Sequence, residues 1–296
     1  MAEARIIDGK AIAAELHQQV AASAARLLQT HRLTPGLTTI LVGDDPASQS
    51  YVRAKAAACA ASSLNSFERR LPGATSEREL TAEIARLNAE EQVDGILVQL
   101  PLPPLIDVHR VIAAIDPEKD VDGFHPINVG HLWTGTSGLV PCTPDGCMIL
   151  LRSVCPDLAG AEAVVLGRSN IVGKPMAALL LAANCTVTVV HSKTRDTAAI
   201  ARRADILVAA MGRAQLVGAE WIKPGAIVID AGISAVPGPD GRKRIVGDVD
   251  FNAVSGIAGA ITPVPGGVGP MTIACLLRNT LIAACRRRGL TDPLPL

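Results

Sequence analysis

An apolar run at residues 163–166 leads into Gly167-Arg168-Ser169-Asn170-Ile171-Val172-Gly173 and then into Pro175-Met176-Ala177-Ala178-Leu179-Leu180-Leu181. A strand, a small-residue turn and a helix start bring backbone N–H groups and the positive end of a helix to one point, where a phosphate can sit. That arrangement implies a parallel α/β sheet with a nucleotide site. The spacing is G-x-S-x-x-x-G rather than G-x-G-x-x-G, so the glycines alone are weak evidence and their surroundings must carry the reading. In a dinucleotide-binding sheet the next strand ends in an acid that binds the ribose 2′-hydroxyl, whereas basic and hydroxyl residues suit a 2′-phosphate. Here residues 186–190 end in His191-Ser192-Lys193-Thr194-Arg195, without an acid. With Arg168 in the turn, the residues point to NADP rather than NAD, because guanidinium and ammonium groups neutralise the additional phosphate. A solvated basic loop at a strand end would leave the same pattern.

The 296 residues suggest two domains. Basic and acidic residues number 28 each, without a long like-charge run, which argues against electrostatic binding to nucleic acid and for small-molecule partners. Hydrophobic content is 49%, yet no apolar stretch approaches the ~18 residues that span a bilayer, and Met1-Ala2-Glu3-Ala4-Arg5 does not begin a signal sequence. No membrane association and a cytoplasmic location are expected. Seven cysteines without a C-x-x-C pair indicate neither a disulfide framework nor a zinc site. They read as small buried residues, with Cys142 and Cys147 flanking a Pro-containing loop.

Apolar periodicity predicts helices around Ile12, Leu16, Val20 and Leu27, over residues 48–61, and around Leu80, Ile84 and Leu87, with strands at residues 37–42 and 95–100. This βα alternation implies a parallel sheet. A Gly-, Pro-, Asp- and His-rich stretch from Pro101 to Gly146 follows, with a short helical candidate at residues 108–115. A second α/β series then places strands at residues 163–166, 186–190, 206–209 and 226–229. The second series holds the cofactor, so the first is expected to hold the substrate. The rigid loop from Pro263 to Pro270 leads into a last helix, from Met271 to about Arg287, which is expected to return to the first domain.

Tyr51 and Lys55 lie one helical turn apart and project from one face. In that Ala-rich stretch Lys55 is either a snorkelling surface residue or an amine whose pKa burial lowers. Gln99 lies at the C-terminal end of a strand, the end where open α/β sheets bind ligands. Residues 116–126, DPEKDVDGFHP, place four acids, a lysine and a histidine in one loop. A carboxylate there can accept paired N–H donors of a heterocycle or hold a metal; no second His and acid cluster at ligand spacing supports the metal.

The segments SQSYVRAK (residues 48–55), VQLPLP (98–103), DPEKDVDGFHP (116–126), PCTPDG (141–146), residues 167–175, residues 191–194 and TPVPGGVGPMT (262–272) together resemble the bifunctional methylenetetrahydrofolate dehydrogenase/cyclohydrolase family, the bacterial FolD type. The match runs in order through nearly the whole chain. The resemblance implies an α/β fold of two domains: a substrate (folate) domain at residues 1–140, a Rossmann-type NADP-binding domain at 141–270, and a C-terminal helix at 271–296 packing on the first. It also implies a homodimer formed through the cofactor domains.

By the same resemblance, 5,10-methylenetetrahydrofolate passes a hydride to NADP⁺ and water opens the resulting 5,10-methenyltetrahydrofolate to 10-formyltetrahydrofolate, in one-carbon metabolism. Lys55 would be the central proton-transfer group, Gln99 would position it, Tyr51 would pack on the folate rings and Asp122 would accept N–H donors from the pterin. Gly167, Arg168, Ser169, Ser192 and Ile233 map to cofactor contacts, with Arg168 and Ser192 at the 2′-phosphate, and Pro265 and Gly266 map to the substrate site. No metal is implied. The chain departs from the family pattern at Ala57, where a second lysine is common, around Ser62-Ser63, where Gly-Ile commonly closes the helix, and at Ser234, where Asn is common. A non-catalytic nucleotide sensor would be expected to have lost Lys55 or Asp122, and both are present.

Overall fold

The first half of the chain runs β1 (Arg5–Ile6), α1 (Gly9–His31), β2 (Gly36–Val42), α2 (Pro46–Ala61), β3 (Asn65–Leu71), α3 (Glu77–Ala89), β4 (Gly95–Val98), α4 (Val108–Ala114) and α5 (Pro126–Thr134). It continues as α6 (Cys142–Val154), β5 (Glu162–Leu166), α7 (Gly173–Ala182), β6 (Thr186–Val190), α8 (Thr197–Ala201), β7 (Ile206–Ala209), β8 (Ile227–Asp230), β9 (Ser234–Pro237), β10 (Lys243–Val246), α9 (Phe251–Val254), β11 (Ala260–Ile261) and α10 (Val268–Arg286). This computed structural model describes residues 3–238 and 242–294.

The chain divides into two units. One holds the chain up to Ala13 together with Thr143–Thr272; the other holds Ala14–Cys142 together with the chain from Ile273 onward. The expectation that residues 1–140 form one domain therefore needs correcting at its start. Arg5 and Ile6 pair in parallel with Ala260 and Ile261, and Ala4 N–H donates to Ser255 O at 2.8 Å. Ala4 is also buried in the core of the 143–272 unit. A two-residue strand is too short to leave a periodic signal.

In the unit beginning at Ala14, three parallel strands lie in the order β3-β2-β4. Every residue of β2 and β4 is buried, whereas β3 is polar and largely exposed. Charged residues on an edge strand discourage pairing with other chains, and they also hide the strand from a search for apolar runs. Ile40 and Val42 of β2, Ile96 and Val98 of β4, and Leu80, Ile84 and Leu87 of α3 share one core. Ser76 and Glu79 form a reciprocal capping box that starts α3.

In the other unit, six parallel strands take the order β1-β11-β8-β7-β5-β6. The chain goes outward from β5 to β6, then returns past β5 to β7. This reversal opens a crevice at the carboxyl ends of β5 and β7, the usual ligand position in such sheets. A small antiparallel pair, β9 with β10, lies outside the main sheet.

Contrary to the expectation that no apolar stretch reaches bilayer length, α10 has 19 residues and matches a membrane span in length and composition. Its most apolar window is 78% buried, and Arg278 and Asn279 within it are buried polar residues. Asn279 Nδ2 donates to Val121 O at 2.9 Å and Val140 O at 2.8 Å. These contacts describe a core helix.

Candidate active site

Lys55 projects from α2 and is half-buried. Its Nζ donates to Gln99 Oε1 at 2.9 Å. Gln99 is held at the end of β4, where its backbone N–H donates to Ile40 O at 2.9 Å and its Nε2 donates to Leu100 O at 2.8 Å. That second bond turns the amide so that its oxygen faces the lysine. Burial pulls the Lys55 ammonium below the usual lysine range, with the Asp122 carboxylate opposing. Tyr51, one turn earlier on α2, is 44% exposed. Its ring is available to a flat ligand.

The loop 116–126 separates into structural and available groups. Lys119 is 1% exposed, and its Nζ donates to the carbonyls of Leu87, Asn88 and Glu90 at 3.0, 2.7 and 2.9 Å. It thus satisfies acceptors at the C-terminal end of α3. Burial, with the Arg287 guanidinium adding, lowers its pKa to about 8. Asp120 accepts from His125 N–H at 2.7 Å and Asn128 Nδ2 at 2.9 Å, while Lys119 O accepts from Ile96 N–H of β4 at 2.7 Å. Asp122 follows this clamped pair. Burial raises its carboxyl to about 6, with Lys55 lowering it and Asp120 raising it. Cys142 belongs to the same group: its Sγ donates to Val121 O at 3.2 Å, and burial plus the Asp122 charge push its thiol well up. It is therefore a neutral wall rather than a nucleophile.

The dinucleotide motif forms the turn between β5 and α7. Gly167 has φ 120°, and a Cβ there would strike the Ala210 carbonyl, while a Cβ on Gly173 would strike Gly167 O. The turn therefore needs glycine at both points. Ser169 Oγ accepts from the N–H groups of Val172 at 3.1 Å and Gly173 at 3.2 Å, and Ser169 O accepts from Lys174 N–H at 3.0 Å. These first donors of α7, read from the sequence as available to a phosphate, are already bonded.

A cleft of about 360 Å³ opens here, and its lining includes Gly167, Arg168, Ser169 and Ser192 together with Met211, Arg213, Leu216 and Trp221. No carboxylate lines it, and neither Arg168 nor Arg213 makes an ion pair among the described residues. Such walls fit a nucleotide with several phosphate charges. Beneath the cleft, Asp248 is fully buried and accepts from the N–H groups of Met211, Gly212 at 3.0 Å and Arg213 at 2.7 Å. Asp230, at the end of β8, accepts from Gly232, Asp248 and Val249 N–H groups, and burial raises its carboxyl to about 6.

Gly167, Arg168, Ser169 and Ser192 are thus brought together. Ile233 is not in that wall; it follows β8 on the same edge of the sheet and is 50% exposed. Pro265 and Gly266 follow β11 in the six-stranded unit, so they do not share a unit with Lys55, Gln99, Asp122 and Tyr51.

Residues 7–122 match the tetrahydrofolate dehydrogenase/cyclohydrolase catalytic domain, and residues 141–288 match the NAD(P)-binding domain of the same family. The chain belongs to the tetrahydrofolate dehydrogenase/cyclohydrolase family. Among family members it is 61% identical to bifunctional protein FolD 3 of Rhizorhabdus wittichii over 98% of this chain and 96% of the relative. Solved structures include the bifunctional FolD of Campylobacter jejuni, 47% identical over 95% of this chain and 99% of that one, with a TM-score of 0.91. The FolD of Trypanosoma brucei, solved with NADP and an inhibitor, is 44% identical over 97% and 99% of the two chains, with a TM-score of 0.93.

The three departures from the family pattern have definite places. Ala57 is exposed on α2, and Ser234 opens β9. Ser62 caps α2 and Ser63 takes φ 57°, a left-handed conformation that favours glycine.

Proposed function

We propose that the chain is a bifunctional folate enzyme in which Lys55, Gln99, Asp122 and Tyr51 form the folate-side centre and the cleft at Arg168 and Ser192 receives NADP. It oxidises 5,10-methylenetetrahydrofolate to 5,10-methenyltetrahydrofolate, and water then opens that product to 10-formyltetrahydrofolate. Bound NADP⁺ supplies the hydride acceptor. The observation that carries the reading is the half-buried Lys55 amine held by Gln99 beside an Asp122 carboxylate. Lys55 Nζ, lowered toward working pH, takes the proton from the attacking water and returns it as the ring opens. Gln99 fixes Nζ, Asp122 accepts pterin N–H donors, and Tyr51 packs on the rings. Ser169 shapes the cofactor turn, while Ile233, Pro265 and Gly266 remain proposed contacts carried over by resemblance.

A homodimer is part of the proposal. β6 ends its sheet, and Leu181 of α7 and Val189 of β6 are 56% and 37% exposed, surface that a second copy would cover. Seven cysteines, six of them buried, fit a reducing cytoplasm.

The test follows the methenyl-folate absorbance with methylenetetrahydrofolate and either NADP⁺ or NAD⁺, then with methenyltetrahydrofolate alone. Product formation favouring NADP⁺ and enzyme-accelerated decay are expected. Folded protein lacking both signals would overturn the assignment.

A further inference from the structure

We infer that Arg213 is a second guanidinium for the cofactor's 2′-phosphate, acting with Arg168 in the same cleft. The inference rests on the NADP reading above and assigns a residue on the loop after β7, away from the sequence motif. The cleft includes Val190, His191 and Ser192 from the end of β6, which is the ribose corner of a dinucleotide-binding sheet, and Arg213 lines the same cleft.

Three observations support the assignment. The first donors of α7 are occupied by Ser169, so the helix start offers less to an anion than its sequence promised, and charge compensation passes to side chains. The Arg213 backbone is fixed by its N–H bond to the buried Asp248 carboxylate at 2.7 Å, while its side chain is exposed. Its guanidinium has no ion-pair partner among the described residues, whereas Arg86 binds Glu83 and Arg287 binds Asp94. A charged fork on a fixed base, in a cleft without carboxylates, is suited to bidentate binding of a dianion.

Calorimetric binding of 2′,5′-ADP and 5′-ADP to the whole protein isolates the 2′-phosphate without turnover. Wild-type protein should bind 2′,5′-ADP more tightly. Arg213→Gln should weaken 2′,5′-ADP about tenfold or more and leave 5′-ADP within about twofold, with Arg213→Lys recovering part of the loss. Equal weakening of both ligands would move Arg213 to the shared adenosine or 5′-phosphate and overturn the inference. Unchanged binding of both would overturn it as well. Wild-type protein that binds both ligands equally would instead overturn the NADP reading on which the inference rests.

Discussion

Lys55 Nζ and Gln99 Oε1 are 2.9 Å apart, a bond that ties the middle of α2 to the end of β4. Gln99 has its own amide N–H and backbone N–H bonded elsewhere, so it acts as a fixed acceptor rather than an adaptable one. Gln99→Met removes that acceptor and keeps the side-chain length. Ring opening should slow about 10²-fold, with 2′,5′-ADP binding unchanged, as read by methenyl-folate decay and calorimetry.

Asp122 has a carboxyl raised to about 6 by burial. If its ionised form binds the pterin, kcat/KM for methylenetetrahydrofolate should rise about tenfold per pH unit below that value and level off above it. Asp122→Asn should lower kcat/KM and lose this limb. The stability sign is opposite: a raised carboxyl favours the folded state below the unfolded pKa, and this contribution is lost as pH rises through about 6. Thermal unfolding from pH 4 to 7 should therefore show the Asn variant gaining stability relative to wild type as pH rises.

Lys119→Met leaves the carbonyls of Leu87, Asn88 and Glu90 without their shared donor. Urea unfolding should show a loss of about 2–4 kcal/mol. The folate KM should rise as well, because the same peptide carries Asp122.

Ser63→Gly should stabilise the protein by about 0.5–1 kcal/mol, since glycine adopts the left-handed conformation without a Cβ penalty. Denaturant midpoints of the two proteins check this directly.

The strands at β2, β4, β5, β7 and β8 were legible because buried parallel strands are continuous apolar runs, and the edge strand β6 by its β-branched Thr and Val residues. β3 was not, since its Glu68, Arg69 and Arg70 serve an edge, and β1 and β11 were too short to show a period. Lys55 and Gln99 stood out by position, at helical spacing from Tyr51 and at a strand end. Nothing local in DPEKDVDGFHP separates Asp122 from Asp120, because the difference arises where Lys119 meets the end of α3 and Asp120 meets Asn128. Cys142 read as a small buried residue flanking a loop, and nothing in the sequence singled out Arg213. Their neighbours come from distant parts of the chain.

The most direct measurement is the decay of methenyltetrahydrofolate with wild-type protein and with Lys55→Met, paired with calorimetric 2′,5′-ADP binding to each. Wild-type protein should accelerate the decay, and the variant should lose that acceleration while binding 2′,5′-ADP as wild type does. Ring opening retained by a correctly folded Lys55→Met protein would contradict the role assigned to the lysine.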